Sequence, residues 1–208
     1  MSAHGRFIAL EGGEGVGKST QVRALAAALR ARGHDVVETR EPGGSEGAEA
    51  IRRLLLEGAA DRWTQGAEAL LFAAARADHV AKTIRPALAA KRWVLTDRFL
   101  DSSLAYQGGA EGVSIEQLMA LHAVGSGGLL PDRTLLLTLP ADEALRRAEA
   151  RDRGGADRIG GRDAAFHAKV AESFAALAGR EAERFRVIDA LGDADAVTAR
   201  LLTALEGL

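Results

Sequence analysis

Eight residues near the start of the chain have the types and spacing to hold a polyphosphate. Gly12-Gly13-Glu14-Gly15-Val16-Gly17-Lys18-Ser19 fits G-x-x-x-x-G-K-S/T. Glycines let consecutive backbone N–H groups turn inward around phosphate oxygens. A helix starting at Lys18 would present unpaired N–H groups and a positive dipole end to the same anion. Lys18 is placed to reach the β- and γ-phosphates, and the Ser19 hydroxyl to ligate Mg²⁺. With Thr20, these residues form the expected ATP site, Gly12 to Thr20. The second chemistry-bearing set is arginine: Arg40, Arg76, Arg98, Arg151, Arg153 and Arg158. Guanidiniums converging on one site suit two phosphorylated ligands brought end to end.

The elements around these residues fit that chemistry. Phe7-Ile8-Ala9-Leu10 is a short continuous apolar run ahead of the glycines, which predicts a buried strand. Apolar side chains at Val22, Leu25, Ala26 and Leu29 predict a helix over 18–32, ended by Gly33. Further strands are predicted at 35–39, 93–96, 134–139 and 185–188. Helices are predicted at 46–57, 66–90 (with Pro86 a possible kink), 114–124 after a glycine-rich loop, 141–150, 164–180 and 193–206. The alternation implies an α/β fold: a three-layer phosphate-loop fold whose five-stranded parallel sheet has helices on both faces. Ligands of such sheets bind beyond the carboxyl ends of the strands. Those ends carry Glu11-Gly12, Arg40-Glu41-Pro42, Asp97-Arg98, Pro140 and Asp189-Ala190.

Composition narrows the classes. The 208 residues fit one domain, at roughly 150 residues per domain. With 27 basic and 29 acidic side chains the net charge is −2, against a globally basic nucleic-acid binder. There is no cysteine, which excludes thiolate metal sites and a cysteine nucleophile. No stretch approaches the roughly 20 apolar residues of a membrane span, and no signal-peptide core is visible, so a cytoplasmic protein without membrane contact is expected. The guanine-reading N-K-x-D element of switch GTPases is missing, and the chain is far shorter than motor ATPases. A small nucleoside-monophosphate kinase remains.

Over nearly its whole length the sequence resembles the thymidylate kinase family. The residues that carry the resemblance are Glu11 to Thr20, Thr39-Arg40-Glu41-Pro42-Gly43-Gly44, Leu71-Phe72-Ala73-Ala74-Ala75-Arg76, Asp97-Arg98, Ala105-Tyr106-Gln107-Gly108, Pro131-Asp132 and Asp157-Arg158-Ile159. The resemblance implies phosphorylation of dTMP to dTDP with ATP and Mg²⁺, in a homodimer. It places Phe72 against the thymine ring and Arg76, one helical turn on, at the base. Arg98 is implied at the monophosphate. Arg40 is implied there too, or else pins the Pro42 turn. Asp97 would hold Mg²⁺ through water or orient neighbouring arginines. Glu14 is implied at the sugar 3′-hydroxyl, Tyr106 at C2′, and Ser103 and Gln107 at the base and sugar.

Residues 147–162, with Arg147, Arg151, Arg153, Arg158 and Arg162 among glycines, resemble the family's lid within a single domain spanning 1–208. Some family members carry a basic residue inside the phosphate loop; others supply it from the lid. The loop interior here is Gly13, Glu14, Gly15 and Val16, so the second arrangement is implied. The resemblance implies a catalytic set of Lys18, Arg98, Arg151, Arg153 and Arg158, with Arg147 at ATP. The acceptor is already an oxyanion and needs no general base. His79, His122 and His167 are therefore read as surface or structural. Departures from the family pattern are Phe99 where Tyr or His is usual, Leu104, Thr138 and Gly160. Phe72, Arg76 and Tyr106 also tolerate dUMP, and a catalytically inactive nucleotide-binding regulator would share the fold.

Overall fold

A computed structural model of the chain describes residues 5–59, 61–151 and 157–208, with Arg151 described in its backbone only. Five strands, β1 (Phe7–Glu11), β2 (Val36–Arg40), β3 (Trp93–Asp97), β4 (Arg133–Thr138) and β5 (Phe185–Asp189), form one parallel sheet in the order β2-β3-β1-β4-β5. The expected strands are all present, displaced by a residue or so at their ends.

Side-chain alternation on these strands builds two cores. Ile8, Leu10, Trp93, Leu95, Leu135 and Leu137 pack under α1 (Lys18–Ala31) and α9 (Ala194–Ala204). Phe7, Ala9, Val94 and Leu136 face the other way. They meet α3 (Gln65–His79), α5 (Leu100–Ser103), α6 (Ile115–Ser126) and α8 (Ala164–Arg180). The remaining helices are α2 (Glu46–Leu56), α4 (Arg85–Ala89) and α7 (Ala141–Arg151). Side chains cap several of them. Ser45, Thr64, Asp163 and Asp193 accept from helix N–H groups, and Ser114 forms a reciprocal capping box with Gln117.

Two expectations are corrected. The helix expected over 66–90 is interrupted by a π-helical stretch, Val80–Ile84. Pro86 follows closely, and because Val80, Ile84 and Arg85 keep right-handed helical angles the helix runs on from α3 into α4, with the π-helical turn just ahead of the proline. The glycine-rich loop expected before α6 is largely helical: α5 runs into a second π-helical stretch, Leu104–Ala110. Leu100, Leu104, Ala105 and Tyr106 bury one face of this segment in the core. Its glycines serve close packing: a Cβ on Gly109 would lie 1.7 Å from the Ser173 hydroxyl of α8.

Register brings the chemistry to one edge. Leu10 pairs with Asp97, and Arg40 with Asp97, so Glu11, Arg40 and Asp97 end three adjacent strands together.

Candidate active site

The loop between β1 and α1 has the form the motif predicts. α1 starts at Lys18 with Gly17 as its N-cap and no side-chain cap, leaving its first N–H groups for an anion. The Lys18 ammonium donates to the Gly13 carbonyl at 2.6 Å and the Gly12 carbonyl at 3.1 Å. Burial, followed by the nearby Arg98 charge, pulls its pKa down to about 8.

Gly15 makes the tightest contact of the loop. It sits at φ +74°, and a Cβ there would stand 2.1 Å from the Ala144 carbonyl oxygen of α7. Helix α7 thus rests on the phosphate loop's backbone. Gly15→Ala combines left-handed backbone strain with a backbone clash, together about 3 kcal/mol. A fall in Tm of about 10 °C is expected in thermal denaturation. An unchanged Tm would show that α7 does not rest there.

Ser19 Oγ donates to Asp97 Oδ2 at the carboxyl end of β3. A hydroxyl and one carboxylate are hard oxygen donors of the kind Mg²⁺ takes beside substrate phosphates and water. Among the described residues no group of three or more His, Asp or Glu forms a metal cage.

Arg98, immediately after β3, adopts φ +69°, with its carbonyl held by the Thr96 hydroxyl at 2.8 Å. Its guanidinium reaches back over the phosphate loop. Nη1 donates to the Gly12 carbonyl at 3.0 Å and to Ser102 Oγ at 3.1 Å; Nη2 donates to Glu14 Oε1 at 2.6 Å. It lies 5.0 Å from the Tyr106 ring centroid, and the Tyr106 hydroxyl donates to Glu14 at 3.4 Å. Phe99 turns the other way, fully buried and edge-on to Phe7 at 4.8 Å and His122 at 5.8 Å, so an apolar ring suits this position.

A second arginine is held further along. Arg76, buried on α3, donates from Nε to Glu41 at 2.8 Å and from Nη2 to Ser103 Oγ at 2.7 Å. The other Glu41 oxygen accepts from His79 Nδ1 at 2.9 Å, and His79 Nε2 meets the Thr39 hydroxyl at 2.7 Å. His79 is thus structural and has no surface exposure. Gln107 donates to the buried carboxylate of Glu68 at 2.9 Å.

One cleft of about 850 Å³ joins these groups. It runs from Ala190, Gly192 and Val197, past Glu14 to Thr20, to Arg98, Tyr106, Phe72, Arg76 and Gln107. Arg40, Pro42, Asp97, Ser103 and Arg147 also line it. Arg40 is exposed and makes paired 3.1 Å contacts with Glu49, whose carboxylate also accepts from the Gly44 N–H, so it pins the Pro42 turn while facing the cleft. Arg147 pairs with Glu143 at 2.6 Å. Gly12 and Gly13 sit behind the lining, in contact with Lys18.

Arg158 is not among the cleft-lining residues. Its guanidinium is buried against Glu68 and donates from Nε to the Leu55 carbonyl at 2.8 Å. The Arg151 side chain and Arg153 lie outside the described residues.

Four site residues escape sequence reasoning. Glu41 and Glu68 orient Arg76 and Gln107 from 35 and 39 residues away. Arg52 lines the cleft and donates to the Pro42 carbonyl at 2.7 Å. Glu11 underlies Arg98. For Glu11 and Glu41 their places at strand ends were the usable signal; Glu68 and Arg52 had none.

A family model described as thymidylate kinase matches residues 10–201. The chain is 68% identical over 205 residues to a thymidylate kinase of Rhizorhabdus wittichii, covering 98% of each chain. It is 53% identical over 197 residues to one of Caulobacter vibrioides, covering 95% of this chain and 94% of that one. The crystal structure of thymidylate kinase from Ehrlichia chaffeensis superposes with a TM-score of 0.79 at 28% identity, covering 98% of this chain and 100% of that chain.

Proposed function

The chain belongs to the thymidylate kinase family, an ATP-dependent kinase that phosphorylates dTMP to dTDP, and from that premise we propose how its own residues divide the work. ATP enters along Arg147 and places its phosphates in the Gly12–Thr20 loop. The dTMP base lies against Phe72, with Arg76 and Ser103 at its edge and Gln107 beside it. Glu14 and Tyr106 meet the sugar, Tyr106 closing the space a 2′-hydroxyl would need. Arg98 and Arg40 take the monophosphate, and Pro42 closes that wall.

The observation that carries this reading is the reach of Arg98. Its guanidinium bonds the Gly12 carbonyl and the Glu14 side chain of the phosphate loop itself. An anion on Arg98 therefore sits next to whatever the loop holds.

The divalent metal would be Mg²⁺, and Ser19 and Asp97 are the residues that would hold it. When bound it neutralises charge on the β- and γ-phosphates. Phosphoryl transfer forms a bond from a dTMP phosphate oxygen to the γ-phosphorus and breaks the bond to the β,γ-bridging oxygen, which leaves on ADP. The monoester's second pKa is about 6, so the acceptor is already a dianion and no side chain removes a proton. Catalysis is alignment and charge neutralisation by Lys18, Arg98 and the lid arginines Arg151 and Arg153. Arg158, paired with Glu68, supports the lid stem.

Residues 1–208 act as one domain, with 147–162 as the lid. Leu70, Ile115, Met119 and Val124 on the adjacent helices α3 and α6 are exposed, and we assign that surface to a second copy of the chain. No described helix is long and apolar enough to cross a membrane. A cytoplasmic enzyme that binds no nucleic acid completes the reading.

A coupled ADP-release assay with a panel of nucleoside monophosphates tests it. dTMP is expected to turn over fastest, with dUMP behind it. Arg76→Ala should raise KM for dTMP about 30-fold, the loss of one or two charge-assisted hydrogen bonds, and leave KM for ATP within about twofold. Faster turnover of dUMP than dTMP would move the assignment to that substrate. No turnover with any monophosphate would leave a nucleotide-binding regulator.

A further inference from the structure

Glu11, a carboxylate with no part in the mechanism above, lies beneath both phosphate sites. It ends β1, directly before the phosphate loop, and is fully buried. Its Oε1 accepts from the backbone N–H of Phe99 at 2.8 Å and of Ser102 at 3.2 Å. Its Oε2 is 2.6 Å from Ser102 Oγ, and the same Oγ lies 3.1 Å from Arg98 Nη1. These bonds tie the turn that carries Arg98 to the strand that carries the loop.

Hydrogen-bond capacity then fixes the Ser102 proton. A guanidinium only donates, so Ser102 Oγ accepts from Arg98 and has one proton to place. Facing an ionised Glu11, that proton must go to Oε2. Facing a protonated Glu11, Ser102 accepts a second hydrogen bond from the carboxyl O–H, and its own proton turns into the cleft that Ser102 lines.

We propose that Glu11 is a positioning residue for the acceptor phosphate: it holds the Arg98 turn and, by its own protonation, decides whether Ser102 offers a hydrogen bond to a phosphate oxygen of the nucleoside monophosphate. The inference rests on the reading that Arg98 binds that phosphate. The charged surroundings of Glu11 make the switch accessible. Burial, and then Asp101 on α5, push its pKa up to about 8, against hydrogen bonds from Ser102 and Phe99 and the charge of Arg98. Asp101 is itself held by Arg184 and Thr134. Lys18 on α1 and Tyr106 on the π-helical stretch also feel the Glu11 charge.

Steady-state kinetics at saturating ATP and Mg²⁺, from about pH 6.5 to about pH 9.5, tests this above the acceptor phosphate's own ionisation. In the unaltered enzyme KM for dTMP should rise roughly tenfold across an inflection near 8, the loss of one hydrogen bond to a charged group. In Glu11→Gln the amide N–H donates to Ser102 at every pH, so the profile should be flat within about threefold. Ser102→Ala should be flat as well, at a raised KM, and tests the idea even if the Glu11 variant does not fold. Lys18 is common to all three proteins, so its ionisation cannot produce a difference among them.

A retained inflection in Glu11→Gln or in Ser102→Ala, or a flat profile in the unaltered enzyme, overturns the proposal. So does a Glu11→Gln that merely melts earlier with both KM values raised and the pH dependence intact. Arg98→Ala separates the two layers. If it leaves KM for dTMP unaltered, the reading of the site fails. If it raises KM while Glu11→Gln keeps the inflection, only the role given to Glu11 fails.

Discussion

Arg98→Ala is expected to lower kcat/KM for dTMP by roughly 10³-fold, with a larger effect on KM than on any parameter for ATP. Two or three charge-assisted hydrogen bonds to a phosphate, at about 1.5–3 kcal/mol each, supply the roughly 4 kcal/mol that this factor represents. The loss goes beyond the missing contact. Glu14 would be left facing the cleft without the guanidinium that now bonds it at 2.6 Å, adding a negative charge where the acceptor phosphate must sit. Arg98→Lys should recover only part of the loss. An ammonium cannot bond Gly12, Ser102 and Glu14 from one planar fork and still face a phosphate. The coupled assay with dTMP as the varied substrate reads both variants. A KM for dTMP within about threefold of the unaltered enzyme would remove Arg98 from the acceptor site.

Arg98 shows a pattern that runs through the cleft. Four of the arginines around it are paired with a carboxylate: Arg98 with Glu14, Arg76 with Glu41, Arg40 with Glu49, Arg147 with Glu143. Crowded guanidiniums would repel one another in the empty enzyme, and the pairing offsets that cost while fixing each fork in place. It also reconciles an arginine-lined cleft with a chain whose net charge is −2. The arriving phosphates compete with carboxylates for these donors. Base-site residues that keep their partner, such as Arg76 between Glu41 and Ser103, stay rigid. Arg98 holds carbonyl, hydroxyl and carboxylate at the cleft wall from one planar fork, which fixes it facing the cleft.

This pattern explains which parts of the site were legible in the sequence. The phosphate loop is a local motif, and its backbone geometry follows from eight consecutive residues. Phe72 and Arg76 share a helix face, so their spacing shows in the chain. The carboxylates that orient the arginines sit on other elements: Glu41 is 35 residues from Arg76, and Glu68 is 90 residues from Arg158. Nothing local distinguishes Glu68 from a solvated glutamate on α3. In the fold, continuous apolar runs marked β1, β3 and β4, while β2 and β5 showed only through the apolar pairs Val36-Val37 and Val187-Ile188. The segment 100–110 was misread because Gly108 and Gly109 look like a turn, whereas Gly109 is small to admit Ser173 of α8. Close approach between distant elements leaves the same residue type as a turn does.

Lys18→Met is expected to reduce kcat by roughly 10³-fold or more while KM for dTMP changes by less than about threefold. The ammonium is positioned by the two carbonyls of its own loop, Gly12 and Gly13, and is almost completely buried. On the proposed reading it neutralises charge that grows on the transferring phosphoryl group, the role in which an arginine finger is worth roughly 10³–10⁵ in rate in related transferases. Methionine keeps the length and apolar stem, so the loop should persist and the loss should fall on the transition state rather than on folding. Lys18→Arg is expected to be no better. A planar guanidinium does not fit the space between the two carbonyls, and its bulk would meet Arg98, whose Nη1 bonds the same Gly12 oxygen. Single-turnover measurements with preformed ternary complex separate chemistry from binding. A normal single-turnover rate in Lys18→Met would mean that the lid arginines carry the charge neutralisation without it.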